Sequence, residues 1–158
     1  MRTVDALTKK GFRVGGMLSR EARKNGVRVG FEILDLRSPK RGWLAQVSQK
    51  SGSRVGRYSV NLKDLEAIGA ESITEAVRNC DIVAIDEVGP MELFSRKFRE
   101  AVSMALQSQR LVTVVVQWKT TDRLVVEVKD RFDSEIFLFT YDNREELFEV
   151  VVLELWNI

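Results

Sequence analysis

Hydrophobic and polar positions follow two regimes along the chain. From Arg2 to Lys10 the apolar residues Val4 and Leu7 have helical spacing, and Gly11 sits where a helix stops before a short strand, Phe12 to Val14. From Met17 to Val60 the pattern reads as a β meander. Asn25-Gly26 is the strongest two-residue hairpin signal, Phe31 to Leu36 is strand-like, Ser38-Pro39 and Gly42 mark a turn, and Trp43 to Val47 returns. A polar loop, Gln49 to Arg57, follows. Beyond it the regime changes to β-α repetition: a helical stretch Asn61 to Asn79 with a break near Gly69, a buried strand Ile82 to Ile85, and a helix Ser95 to Gln107. The strand Leu111 to Val116, a helix Thr121 to Lys129, the strand Ile136 to Phe139 and a helix from about Asn143 complete the pattern. Continuous apolar strands between helices imply an α/β fold whose mainly parallel sheet is covered on both faces, with the antiparallel meander as an insertion.

The 158 residues suit one domain, residues 1–158, able to bury about two thirds of its unfolded surface. Cys80 is the sole cysteine and histidine is absent, which excludes a disulfide framework, ordinary zinc sites and histidine catalysis. Chemistry must come from carboxylates, Lys, Arg, hydroxyls or backbone. A net charge of +2 in a highly charged chain does not argue for nucleic acid. The start, Met1 to Lys10, is polar and unlike a signal peptide, and no apolar run approaches the roughly 20 residues of a membrane span. A soluble, reducing, cytoplasmic setting is the expectation.

The most informative run is Asp81-Ile-Val-Ala-Ile-Asp-Glu-Val-Gly-Pro-Met-Glu-Leu-Phe-Ser95: an apolar strand ends in adjacent acids, Asp86 and Glu87, followed by a Gly-Pro turn. Strands that deliver acids to a sheet's carboxyl edge hold magnesium and activate water in P-loop nucleoside triphosphatases. Side chains alternate along extended backbone, so two adjacent acids can face two tasks. A bare strand ending in acids can equally be a solvated loop entry, and Glu92 could cap or charge the start of the next helix. The partner motif, Gly-x-x-x-x-Gly-Lys-Ser/Thr, occurs nowhere in the sequence. Lys9 and Lys10 do not replace its lysine, because they close a helix rather than open one behind a glycine-rich loop. Gly15 and Gly16 read as permitting a tight turn.

The segments Phe12-Arg-Val-Gly-Gly-Met-Leu18, Arg28-Val-Gly-Phe31, Gly56-Arg-Tyr-Ser-Val60, Asp81 to Ser95 and Thr140-Tyr-Asp-Asn-Arg144 occur in this order, at similar spacing, in a known family. The chain resembles the archaeal and bacterial P-loop nucleoside-triphosphatases related to the vertebrate cancer-related nucleoside-triphosphatase, most specifically at Asp86 to Leu93. The resemblance implies slow magnesium-dependent hydrolysis of ATP, GTP and other nucleoside triphosphates. By resemblance Asp86 would hold magnesium through water and Glu87 would orient and deprotonate the attacking water. Val88, Gly89, Pro90 and Met91 would belong to the same nucleotide-binding edge. Asn143 and Arg144 would lie near the base, although Asp142 and Glu145 also fit a capping box that needs no ligand. Family members carry a first strand and phosphate loop ahead of the helix resembling Met1 to Lys10. This sequence departs from them there, as though translation began at a methionine inside the first helix. Poor hydrolysis is expected, and neighbours of an absent central strand would expose unpaired edges that a homodimer could cover.

The Asn25-Gly26 hairpin places Arg23 opposite Arg28. Like charges so opposed call for an anion, either a nucleotide triphosphate, which would make Arg28 a binding residue, or Glu21 on the same face as part of a surface network. Arg57 and Tyr58 match family positions but read as the end of the meander. Two further classes remain: a noncatalytic interaction or regulatory module on a degenerate scaffold, and a small-molecule kinase, against which no separate arginine-rich lid is found.

Overall fold

The computed structural model describes the backbone of residues 2–157, with side chains for all of these except Arg144, Glu145, Trp156 and Asn157. Helix α1 (Arg2–Lys9) buries Leu7 and ends where read. Gly11 takes φ +97°, and the bonds Phe12 N–H to Leu7 O and Gly11 N–H to Thr8 O close the last turn in a Schellman arrangement. The next strand is longer than expected: β1 runs from Val14 to Lys24 and pairs with β2 (Val27–Asp35) in one long hairpin. Asn25 and Gly26 both have positive φ, 50° and 77°, the type I′ turn that matches strand twist. Lys24 therefore pairs with Val27, and Arg23 with Arg28.

Gly15 and Gly16 form no turn; they lie inside β1, opposite Val83 and Ala84 of the parallel strand β6 (Ile82–Val88). A Cβ on Gly16 would meet the Ala84 carbonyl oxygen at 2.0 Å, so close strand approach explains the glycine. At the entry of the pair, Arg13 donates from its backbone and guanidinium to Asp81, holding that carboxyl down to about 2.

Strands β3 (Arg41–Gln46), β4 (Arg54–Val55) and β5 (Tyr58–Val60) extend the same sheet, and β7 (Leu111–Val116) completes the order β4-β5-β3-β2-β1-β6-β7. The sheet is mixed: β1, β6 and β7 are parallel, and the meander continues it antiparallel. Alternation along β6 divides the core. Val83 and Ile85 face Met17, Ile33, Leu65, Ile73 and Phe98, while Ile82 and Ala84 face Leu7, Val14 and Leu155. The larger side is covered by α2 (Leu62–Asp64), α3 (Glu71–Asn79), α4 (Arg96–Gln107) and α5 (Arg123–Lys129), and the other by α1 and α6 (Arg144–Asn157). Each such fully buried aliphatic side chain contributes roughly 1.5–3 kcal/mol.

Two expectations are corrected. Helix does not break at Gly69, because a π-helical segment, Leu65–Ala70, joins α2 to α3. A Cβ at Gly69 would lie 3.3 Å from Met17 Sδ, so the glycine serves close packing on the sheet. The run Ile136 to Phe139 forms no strand. Ile136, Leu138 and Phe139 are more than half exposed, and the segment is tied instead to the next turn through Asn143. Propensity alone did not supply the neighbour that a strand requires. Within the sheet β6 is hydrogen-bonded to β1 on one side and to β7 on the other, and among the described residues β7 is the last strand of the order. Among the described residues no helix is long and apolar enough to cross a membrane.

Candidate active site

The carboxyl end of β6 is built by an interrupted register. Asp86 pairs with Leu18 of β1 and Val115 of β7, and Val88 pairs with Val116, leaving Glu87 without a partner in β7. Bulges of this kind re-aim side chains where pairing ends. The peptide bond between Asp86 and Glu87 is cis. One turn follows immediately: Leu93 N–H donates to Gly89 O at 3.1 Å, Pro90 and Met91 form the turn that leads into a 3-10 helix at Glu92–Phe94, and Glu92 reaches back to accept the Gly89 N–H at 3.2 Å. Val88 and Met91 direct their side chains into the core, so their contribution at this edge is backbone.

Asp86 and Glu87, at the end of β6, and Glu92, just beyond the turn that follows, are thus gathered under partial or full burial. Burial raises the pKa of Asp86, and burial followed by the Asp86 charge raises that of Glu87. Glu92, only 2% exposed, is pushed up to about 7, first by burial and then by Glu87 and Asp86, against the opposing effect of N–H groups of Glu92 and Gly89. Among the described residues none of the three has an arginine or lysine partner. Such a set of oxygens suits a hard divalent cation that keeps most of its waters, and no three described acids close into a full protein cage. The helix-cap role open to Glu92 belongs to Ser95, whose Oγ accepts the Phe98 N–H at 3.1 Å and starts α4.

The β1–β2 hairpin treats charge differently. Beyond Leu18 it overhangs the end of β6, carrying Arg23 and Arg28 roughly 15 Å further along the strand direction. Glu21 answers both arginines: Oε2 accepts from Arg23 at 2.7 Å and Oε1 from Arg28 at 2.5 Å. The anion between the opposed arginines is therefore an internal carboxylate, the surface-network alternative. Arg28 also donates to the Tyr58 hydroxyl at 2.9 Å, as does Arg57 at 3.2 Å, and these bonds, Arg57's first, lower the Tyr58 pKa. Tyr58 itself is core, edge-on to Phe31 with centroids 5.2 Å apart.

Asn143 engages its own loop: its Oδ1 accepts the Thr140 N–H at 2.8 Å and its Nδ2 donates to Leu138 O at 2.8 Å. Asn143, rather than Asp142, therefore makes the turn before α6. The side chains of Arg144 and Glu145 lie outside the described residues.

Sequence reading missed the bridge between the two loops at this edge. Arg99 donates to Leu93 O at 2.7 Å and forks onto Asp122 at 2.9 and 2.6 Å, while Asp122 caps α5 at Leu124 N–H. The turn after β6 is thereby fastened to the loop after β7. Beside that bridge an open depression of about 660 Å³ is lined by Gln117, Trp118, Thr120 and Thr121.

A family profile described as NTPase matches residues 1–152. The chain is 40% identical over 149 residues to "Nucleoside-triphosphatase THEP1" of Thermofilum pendens, covering 93% of this chain and 81% of the relative. It is 42% identical over 151 residues to the protein of the same name from Methanosarcina acetivorans, covering 95% and 84%. Among solved structures, that of THEP1 from the hyperthermophile Aquifex aeolicus superposes with a TM-score of 0.82 at 25% identity, over 95% of this chain and 88% of that one.

Proposed function

The chain belongs to the NTPase family, and from that premise we propose that it is the scaffold of a magnesium-dependent nucleoside triphosphatase, converting ATP, GTP or other nucleoside triphosphates to the diphosphate and phosphate. One observation carries the reading: acids under partial burial, raised in pKa and without a basic partner among the described residues, converge where β6 ends. Parallel strands place ligands at this carboxyl edge. A cation there would offset the repulsion that the acids impose on one another.

In this reading Asp86 holds magnesium, which when bound supplies positive charge to the phosphates. Glu87 orients the attacking water and accepts its proton, a role for which a carboxyl made more basic by burial is suited. The backbone of Val88, Gly89, Pro90 and Met91 shapes the nucleotide's edge of the site. Asn143 and Arg144 belong to the base side, and Arg28 is a lesser contributor that must leave Glu21 to reach a phosphate. A cytoplasmic setting, with Cys80 a buried free thiol, completes the proposal.

Phosphoryl transfer depends on positioning and electrostatics, much of it from a phosphate loop, and no such motif occurs in these 158 residues. We therefore expect little turnover from them alone. The test is magnesium-dependent phosphate release from ATP and GTP by this chain beside a version extended upstream in the same reading frame. Turnover confined to the extended protein supports the proposal. Two folded proteins without turnover would favour the second reading, a noncatalytic interaction module.

A further inference from the structure

Glu92 is a buried acid in a place where the next helix is already capped by Ser95, so that helix does not explain it. Its carboxyl accepts the Gly89 N–H, and Gly89 in turn carries no side chain for a visible reason. A Cβ there would lie 2.6 Å from Glu87 Oε1 and 3.1 Å from Glu92 Oε2. The Glu87 carboxylate therefore rests against the bare face of Gly89, and Glu92 holds the backbone that presents this face.

We propose that Glu92 is a positioning residue for Glu87: by fixing the Gly89 N–H it sets the floor on which the Glu87 carboxylate lies, and so aims that carboxylate at the water-activating position. The inference rests on the hydrolase reading only for the purpose of the aim. The cradle itself is a matter of geometry in this chain. A carboxyl oxygen is what the cradle uses, and a glutamine in its place supplies the same acceptor and nearly the same shape. An alanine removes the acceptor, leaves a buried N–H unsatisfied, and frees the turn. A misplacement of about 1 Å in a catalytic group can cost about 10²-fold in rate.

Two measurements on Glu92→Gln and Glu92→Ala decide the matter. In this chain Glu92→Ala is expected to speed hydrogen exchange at the Gly89 amide at least about tenfold. It is also expected to move the Glu87 carboxyl carbon resonance, with Glu92→Gln leaving both near native. In the upstream-extended protein, Glu92→Ala is expected to lower kcat by about 10- to 100-fold with KM for magnesium ATP changed less than about threefold, and Glu92→Gln to restore kcat. A folded Glu92→Ala protein with native exchange and an unmoved Glu87 resonance overturns the proposal. So does a glutamine variant as damaged as the alanine one. If the extended protein with native Glu92 releases no phosphate, the hydrolase reading is what fails, and exchange and the carbon resonance still decide the positioning.

Discussion

The end of β6 and the β1–β2 hairpin carry charge in opposite ways. On the hairpin, Arg23 and Arg28 oppose each other at the surface and are both answered by Glu21, while Arg20 is answered by Glu32 at 2.8 Å. At the end of β6, Asp86, Glu87 and Glu92 are withdrawn from water, burial raises all three, Asp86 further raises Glu87 and both further raise Glu92, and none finds an arginine or lysine among the described residues. Arg99 lies close in the fold but is committed to Leu93 and Asp122. Charge complemented from within the chain belongs to local architecture. Charge left uncomplemented under burial costs stability, and such a cost is the usual mark of a site whose counter-charge arrives with a ligand.

The strongest way to break this contrast is at Asp86. Asp86→Asn in the upstream-extended protein is expected to cut magnesium-dependent phosphate release by about 10²-fold or more. Stability above neutral pH should be kept or increased, since a burdened charge has gone. Retained release, assayed with saturating magnesium, would remove Asp86 from the metal role.

Glu92 gives the next largest effect, on stability. Its native pKa of about 7 lies above the value of an unfolded carboxyl, so between roughly pH 4.5 and pH 7 the native state holds more protons than the unfolded state. Stability from this group is therefore greatest below the unfolded value and declines as pH rises through 7. Glu92→Gln should abolish that decline, leaving the variant more stable than the native chain by of order 3 kcal/mol at pH 8 and little different at pH 4. Urea unfolding across this range measures it, and equal pH slopes would contradict the buried acid.

At the hairpin the effects shrink. Arg28→Glu is expected to weaken nucleotide affinity of the extended protein about three- to tenfold, and an unchanged affinity would confine Arg28 to its network with Glu21 and Tyr58. Smallest is Glu21→Ala, which leaves Arg23 facing Arg28. A small loss, reduced further in 1 M salt, is expected in thermal unfolding.

Legibility followed the range of the interactions. The hairpin register could be read to the residue because Asn25-Gly26 dictates its own turn and the turn dictates the pairing. Strand Leu111–Val116 was bounded correctly because a continuous apolar run between breakers is a local signal. Ile136 to Phe139 carried the same local signal and failed, since a strand exists only beside a neighbour and its edge of the sheet offered none. Gly69 misled because glycine in a helix reads as a break, whereas here it permits contact with Met17 from a distant strand. Asp86 and Glu87 were visible as a motif. The burial of Glu92, the cradle at Gly89 and the fork from Arg99 to Asp122 were not, because they arise from contacts that the folded chain creates.

The most direct measurement is turnover set beside nucleotide affinity for Glu87→Gln in the extended protein, with magnesium present. The account predicts phosphate release lowered by about 10²- to 10⁴-fold while a fluorescent nucleotide still binds within about threefold of the native affinity. Undiminished release from a folded Glu87→Gln protein would contradict the claim that Glu87, at the end of β6, activates the attacking water.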